Sequence, residues 1–134
     1  MSKTILVIDD DDMIRALVVR ALERAGYATL AANDGPSGID LFRANRPDLV
    51  VLDVAMPEMT GFEVVSGIRA IEADENRQHT PIVILTAYAR SFFLPFGAQA
   101  EIDSYLMKPI TPEQLVNHIN QFLADSSSNP SDSA

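Results

Sequence analysis

The sequence predicts an α/β protein: a doubly wound, five-stranded parallel sheet of strand order 2-1-3-4-5. Three observations predict it. Short continuous apolar runs at Thr4 to Ile8, Leu49 to Leu52 and Pro81 to Leu85 have the pattern of strands buried on both faces. Segments of helical period and length separate successive strands, as right-handed crossovers between parallel strands require. The first, third and fourth strands are the most apolar and so belong at the centre, which leaves the weaker second and fifth at the edges.

Thr4 to Ile8 is the first strand and runs into Asp9, Asp10, Asp11 and Asp12. Ile14, Leu17, Val18, Ala21, Leu22 and Ala25 then recur at three- and four-residue spacings, the single apolar face of a helix. Asp11 or Asp12 is its N-cap, and Gly26 ends it. Tyr27 to Ala32 is a weaker strand. Asn33-Asp34-Gly35-Pro36 is a turn, with Pro36 suited to the first helical position. Ile39, Leu41 and Phe42 give the second helix its apolar side, and Arg46-Pro47-Asp48 breaks it.

Leu49 to Asp53 is the central strand, four apolar residues running into a carboxylate. Val54-Ala55-Met56-Pro57 stops it, and Met59-Thr60-Gly61 turns the chain. Phe62, Val65, Ile68 and Ile71 mark the third helix, and the polar stretch Glu72 to Thr80 is expected as a surface loop. Pro81 to Thr86 is the fourth strand. Tyr88 to Gln99 has helical length but contains Pro95, whose ring would clash with the Ser91 carbonyl at a cost of ~3 kcal/mol. The helix is therefore expected to be interrupted. Phe92, Phe93, Leu94 and Phe96 cannot all face one core, so a hydrophobic patch for a partner or for self-association is expected there, beside the fifth strand. Ser104 to Lys108 is that strand, stopped by Pro109. Thr111-Pro112-Glu113-Gln114 is a capping box, followed by a helix with Leu115, Ile119, Phe122 and Leu123 inward. One domain is expected over residues 1–124. Residues 125–134, rich in Ser, Asn, Pro and Asp, are expected to be a disordered tail.

At 134 residues the chain can bury one substantial core. No apolar run approaches the ~20 residues of a membrane span, and Met1-Ser2-Lys3 leads straight into a strand, which makes the cytoplasm the default compartment. The absence of cysteine excludes disulfides and thiolate metal sites. A formal charge of −9 disfavours direct nucleic-acid binding and suits a cation or a basic partner surface.

In the order 2-1-3-4-5 the first and third strands are neighbours, so Asp9, Asp10 and Asp53 converge at one carboxyl edge. Two carboxylates ~5 Å apart at an effective dielectric of ~20 repel by about 3 kcal/mol, so three need a cation. All-oxygen ligands select a hard ion, Mg²⁺ rather than Zn²⁺. Thr86 and Lys108 end the fourth and fifth strands at the same edge. A hydroxyl can donate to a phosphoryl oxygen and an ammonium can pair with it. The three aspartates sum to −3, which Mg²⁺ and Lys108 balance before a phosphate arrives. This is an electrostatic clamp for phosphoryl transfer with a carboxylate as nucleophile.

Ile5-Leu6-Val7-Ile8-Asp9-Asp10, Val51-Leu52-Asp53 with Met56-Pro57 and Gly61, Leu85-Thr86-Ala87, and Tyr105 with Lys108-Pro109 together resemble a response-regulator receiver domain of two-component signalling, over residues 3 to 124. The resemblance implies a flavodoxin-like receiver fold and a stand-alone receiver whose output is protein binding. Asp53 would be the phosphoacceptor, loaded by a histidine kinase or a histidine phosphotransfer protein. Asp10 would ligate Mg²⁺ directly, Asp9 mainly through metal-bound water, and the Ala55 carbonyl would complete the protein ligands. Thr86 and Tyr105 would switch on phosphorylation, and the Lys108-Pro109 bond would be cis. Thr80-Pro81 and Lys108-Pro109-Ile110 are also similar to receivers of phosphorelays and hybrid kinases. Glu101-Ile102 departs from the Gly-Ala usual in receivers, and Pro95 departs as well. Both concern the output face and not the acidic pocket.

Plainer readings stand beside these. Asp11 and Asp12 suit caps and solvated charge, Tyr105 suits edge-strand packing, and His79 and His118 suit the surface. An aspartate-nucleophile phosphohydrolase is a second functional class, but it typically wants a second carboxylate two residues after the nucleophile, where this chain has Ala55. A pseudo-receiver acting only as a binding module is a third, and the complete pocket weighs against it. A signalling switch rather than an enzyme is expected.

Overall fold

In a computed structural model of the chain, residues 3–54, 61–87 and 102–127 are described. Among the described residues the elements run β1 (Thr4–Ile8), α1 (Asp12–Arg24), β2 (Ala28–Ala32), α2 (Gly35–Asn45), β3 (Leu49–Leu52), α3 (Gly61–Asp74), β4 (Ile82–Thr86), β5 (Ser104–Met107) and α4 (Pro112–Ser127). All four strand pairings are parallel and the sheet order is β2-β1-β3-β4-β5, as expected. The interrupted helix and aromatic patch expected between Tyr88 and Gln99 lie outside the described residues, as do Glu101 and Ala55. α4 continues to Ser127, past the expected domain boundary, and the remainder of the tail lies outside the described residues.

The strands alternate because each side chain must enter one of two cores. Leu6, Ile8, Val50, Leu52, Ile82 and Ile84 face α2 and α3, where Phe42, Val64, Val65, Ile68 and Ile71 cover them. Ile5, Val7, Leu49, Val51, Val83 and Leu85 face α1 and α4, under Val18, Leu22, Leu115, Ile119 and Leu123. β3 and β4 are buried along their whole lengths, whereas β5 is only half-buried and ends exposed. That contrast is what put the weaker strands at the edges.

Helix ends follow local chemistry. Asp11 caps α1 by accepting from the Met13 and Ile14 amides at 2.9 and 3.0 Å. Gly26, at φ +100°, lets the chain leave that helix in a conformation that L side chains avoid. Asp34 caps α2, and its backbone bond from Ser37 holds its carboxyl below the usual range. Gly35 takes the first position of α2, so Pro36 falls at the second rather than the first. The capping box of α4 is closed in both directions: Thr111 N–H donates to Gln114 Oε1 at 3.0 Å, and Gln114 N–H to Thr111 Oγ1 at 3.1 Å.

One expectation needs correction. Glu72 does not open a surface loop; it lies in the last turn of α3 and is 8% exposed. Arg69 Nη1 donates to both of its carboxylate oxygens at 2.9 and 3.0 Å, and the Thr80 amide donates to Oε2 at 2.7 Å. Arg69 Nη2 also reaches Asp103 Oδ2 at 3.0 Å, and the same oxygen accepts from the Ile82 amide at 2.8 Å. A buried carboxylate is tolerated because every side of it is met by a donor. This network joins the end of α3 to the amino ends of β4 and β5, the edge opposite the acidic pocket.

Candidate functional site

The carboxyl edge of the sheet is where β1 and β3 deliver their terminal residues side by side. Their register pairs Ile8 with Leu52, and the ladder continues one step beyond both strands. The Asp53 amide donates to the Ile8 carbonyl at 3.0 Å and the Asp9 amide to the Ala32 carbonyl at 3.2 Å. Both aspartates are thus fixed by backbone on a neighbouring strand, and both are buried, at 3% and 6% exposure for Asp9 and Asp53. Asp10, next along the loop, is exposed.

A carboxylate oxygen from each of Asp9, Asp10 and Asp53 lies within 4.8 Å of the other two. Among the described residues this is the one cluster of acids and histidines with the spacing of a metal site. It offers only hard oxygen donors on a rim open to solvent, which fits a small oxygen-ligated divalent ion that keeps some of its water. Burial pushes the Asp9 carboxyl above its ordinary range, and neighbouring Asp53 adds to the rise. The Asp11 amide, donating to Asp9 Oδ1 at 2.9 Å, and Lys108 oppose it. A divalent cation between these carboxylates would favour their charged forms.

Lys108 supplies the positive charge on the far side. β5 pairs with β4 so that Met107 lies opposite Thr86, and the Lys108 amide donates to the Thr86 carbonyl at 2.7 Å. From there its Nζ stands 3.1 Å from Asp9 Oδ2 and 3.6 Å from Asp53 Oδ2. The peptide bond between Lys108 and Pro109 is cis. Thr86, fully buried, ends β4 on the face shared by Ile82 and Ile84. Tyr105, half-buried, lies opposite Ile84 in β5 and packs against the same core. The structure therefore brings together Asp9, Asp10, Asp53 and Lys108, with Thr86 and Tyr105 on the adjoining strands.

Gly61, one of the residues that carry the receiver resemblance, has a steric part in the site that the sequence alone did not show. Its amide donates to the Val54 carbonyl at 3.1 Å, folding the first turn of α3 onto the end of β3. A Cβ there would sit 2.5 Å from Val54 Cα and 2.9 Å from the Asp53 carbonyl oxygen. Only glycine permits that approach.

Comparison with known proteins now bears on these residues. The model of the response regulator receiver domain family matches residues 5–120. The chain belongs to that family. The receiver is 40% identical over 119 residues to the transcriptional regulatory protein CseB of Streptomyces avermitilis, covering 89% of this chain and 48% of that protein. It thus spans about half the length of the curated regulators it matches at that level. The polar-differentiation response regulator DivK of Brucella anthropi is 29% identical over 125 residues, covering 93% of this chain and 99% of that protein. Among solved structures, the receiver resembles response regulator protein TrrA of Thermotoga maritima, crystallised in complex with Mg²⁺ and BeF. The TM-score is 0.76 and the identity 32%, over 89% of this chain and 97% of that one.

The matched span contains every candidate site residue, from Asp9 to Lys108. His79 and His118 are both remote from the acidic pocket. His79 Nε2 pairs with Asp103 Oδ1 at 2.7 Å, and His118 packs on Phe122 and meets Ser104 Oγ at 2.5 Å. No helix of the described residues is long and apolar enough to cross a membrane.

Proposed function

We propose that the chain is a phosphorylatable switch in which Asp53 accepts a phosphoryl group from a histidine kinase or a histidine phosphotransfer protein, with Mg²⁺ as cofactor. The observation that supports this most is Lys108 Nζ lying against both Asp9 and Asp53 beside three carboxylates within 4.8 Å of one another. An Asp53 oxygen attacks phosphorus, the P–N bond of the donor phosphohistidine breaks, and the imidazole leaves with the electron pair. The product is an acyl phosphate on Asp53. Lys108 pairs with a phosphoryl oxygen as charge builds there. Asp9, Asp10 and Asp53, with the Ala55 backbone carbonyl, would hold Mg²⁺, whose charge would offset that of the phosphoryl oxygens.

Thr86 and Tyr105 act as the switch. The Thr86 hydroxyl donates to the phosphoryl group, and Tyr105 responds from the adjacent strand. Because the phosphorylated state alone offers that contact, phosphorylation shifts the population toward it. The output is binding to a downstream protein target, or self-association, through the segment Tyr88 to Gln99 and the fifth strand. A cytoplasmic setting, no direct nucleic-acid contact and no membrane contact complete the reading. Incubation with Mg²⁺ and phosphoramidate, a donor with the same P–N bond, tests it. Intact mass should show one added phosphoryl group, lost in acid and not added when Mg²⁺ is chelated. An unchanged mass would contradict the reading.

A further inference from the structure

Asp9 to Asp12 place four negative charges in succession on the loop between β1 and α1. Two of the four face the pocket, and one, Asp11, is spent on the helix cap. Asp12 has a side chain 86% exposed and no place in the cluster. Arg15, one turn into α1, reaches back over this loop. Its Nη1 donates to the Asp9 backbone carbonyl at 2.9 Å and its Nη2 to Asp12 Oδ1 at 2.6 Å, with the side chain 20% exposed.

The pairing with Asp12 alone would be an ordinary surface ion pair, worth little. The contact with the Asp9 carbonyl is different, because it crosses six positions and ends on the residue before Asp10. One planar fork therefore holds the loop on both sides of Asp10. The Asp9 side chain is already fixed by Asp11 and Lys108. The Asp10 backbone has Arg15 as its brace. The same fork keeps the Asp12 carboxylate on the helix side of the loop.

We propose that Arg15 is a positioning residue for the cation site: it sets Mg²⁺ affinity by fixing the loop that presents Asp10, without touching the ion. This rests on the acidic pocket being the Mg²⁺ site. Groups that orient metal ligands from behind typically change affinity by about 10- to 100-fold when removed. A lysine carries the charge but cannot span two acceptors in fixed directions.

Isothermal titration with Mg²⁺ alone, on wild type, Arg15→Gln and Arg15→Lys, tests this, with melting of each metal-free protein alongside. Arg15→Gln should weaken Mg²⁺ by about tenfold or more, and Arg15→Lys should fall between it and wild type. Equal Kd in Arg15→Gln and wild type would overturn the proposal, whatever happens to metal-free melting. Wild-type affinity in Arg15→Lys would also overturn it, by showing that charge alone suffices. If Arg15→Gln does not fold, the Arg15→Lys titration decides. No Mg²⁺ binding by wild type would instead remove the pocket reading on which the proposal rests.

Discussion

Lys108 and Asp9 are separated by 99 positions in the chain and by 3.1 Å between Nζ and Oδ2. All the strands are parallel, so both residues emerge at the same carboxyl edge, and the long Lys108 side chain reaches across the ends of β4 and β3 to Asp9. The same ammonium stands 3.6 Å from Asp53, so a single side chain faces both buried aspartates. The site thus has its cation before any ligand arrives, and its remaining acidity is what Mg²⁺ would relieve.

Mg²⁺ should stabilise the fold through this pocket. A ligand that binds only the native state at ~10 times its Kd adds roughly 1.4 kcal/mol. Thermal melts with increasing Mg²⁺ should show rising Tm in wild type and a much smaller rise in Asp10→Asn. Equal rises in the two would remove Asp10 from the site.

Thr86→Ala and Lys108→Ala should both fold and keep Asp53, yet respond weakly to phosphorylation. Amide NMR spectra with and without a beryllofluoride phosphate mimic measure that response. Shifts across β4 and β5 should shrink in each variant. Full wild-type shifts in either one would discharge that residue from the switch.

Gly61→Ala should damage both stability and phosphorylation. The new Cβ would press on Val54 Cα at 2.5 Å, and backbone cannot swing aside as a flexible side chain can. Overpacking of this kind costs about 1–3 kcal/mol. Gly26→Ala is the matched control: it is strained by its φ of +100° but meets nothing within 4 Å. It should lose about 1–2 kcal/mol and phosphorylate normally. Urea unfolding with donor kinetics on both variants separates the two effects.

Burial lowers the His118 pKa below its ordinary value. The folded chain therefore binds a proton on this ring less readily than the unfolded chain, which does so near pH 6.5. Stability from this group is present above that pH and declines as pH falls toward the lower folded value. Urea midpoints at pH 7.5 and 5.5 should fall further for wild type than for His118→Gln, whose side chain can still bond Ser104. Identical pH dependence would contradict the assignment.

The sheet order was legible in the sequence because short β-branched apolar runs such as Val50-Val51-Leu52 and Ile82-Val83-Ile84 read as strands covered on both faces, and the most apolar strands belong at the centre. The pocket was legible for a related reason: Asp9, Asp53, Thr86 and Lys108 each stand at or just beyond the end of a strand, and topology alone aligns such ends. Glu72 misled because a charged residue after a helical pattern reads as loop, and nothing local shows that Arg69 and the Thr80 amide will enclose it. Arg15 was hidden, and Gly61 was named only as a turn and motif residue, for a different reason. Gly61 acts through a Cβ it does not have, Arg15 through a contact with a backbone carbonyl, and neither leaves a periodic trace.

Location of the phosphoryl group tests the central claim most directly. After treatment with phosphoramidate and Mg²⁺, borohydride reduction of the acyl phosphate converts the modified aspartate to homoserine, which peptide mass mapping locates. The account predicts a single site at Asp53, with no modified peptide from Asp53→Asn. Modification at Asp9 or Asp10 in wild type, or undiminished labelling of Asp53→Asn, would contradict it.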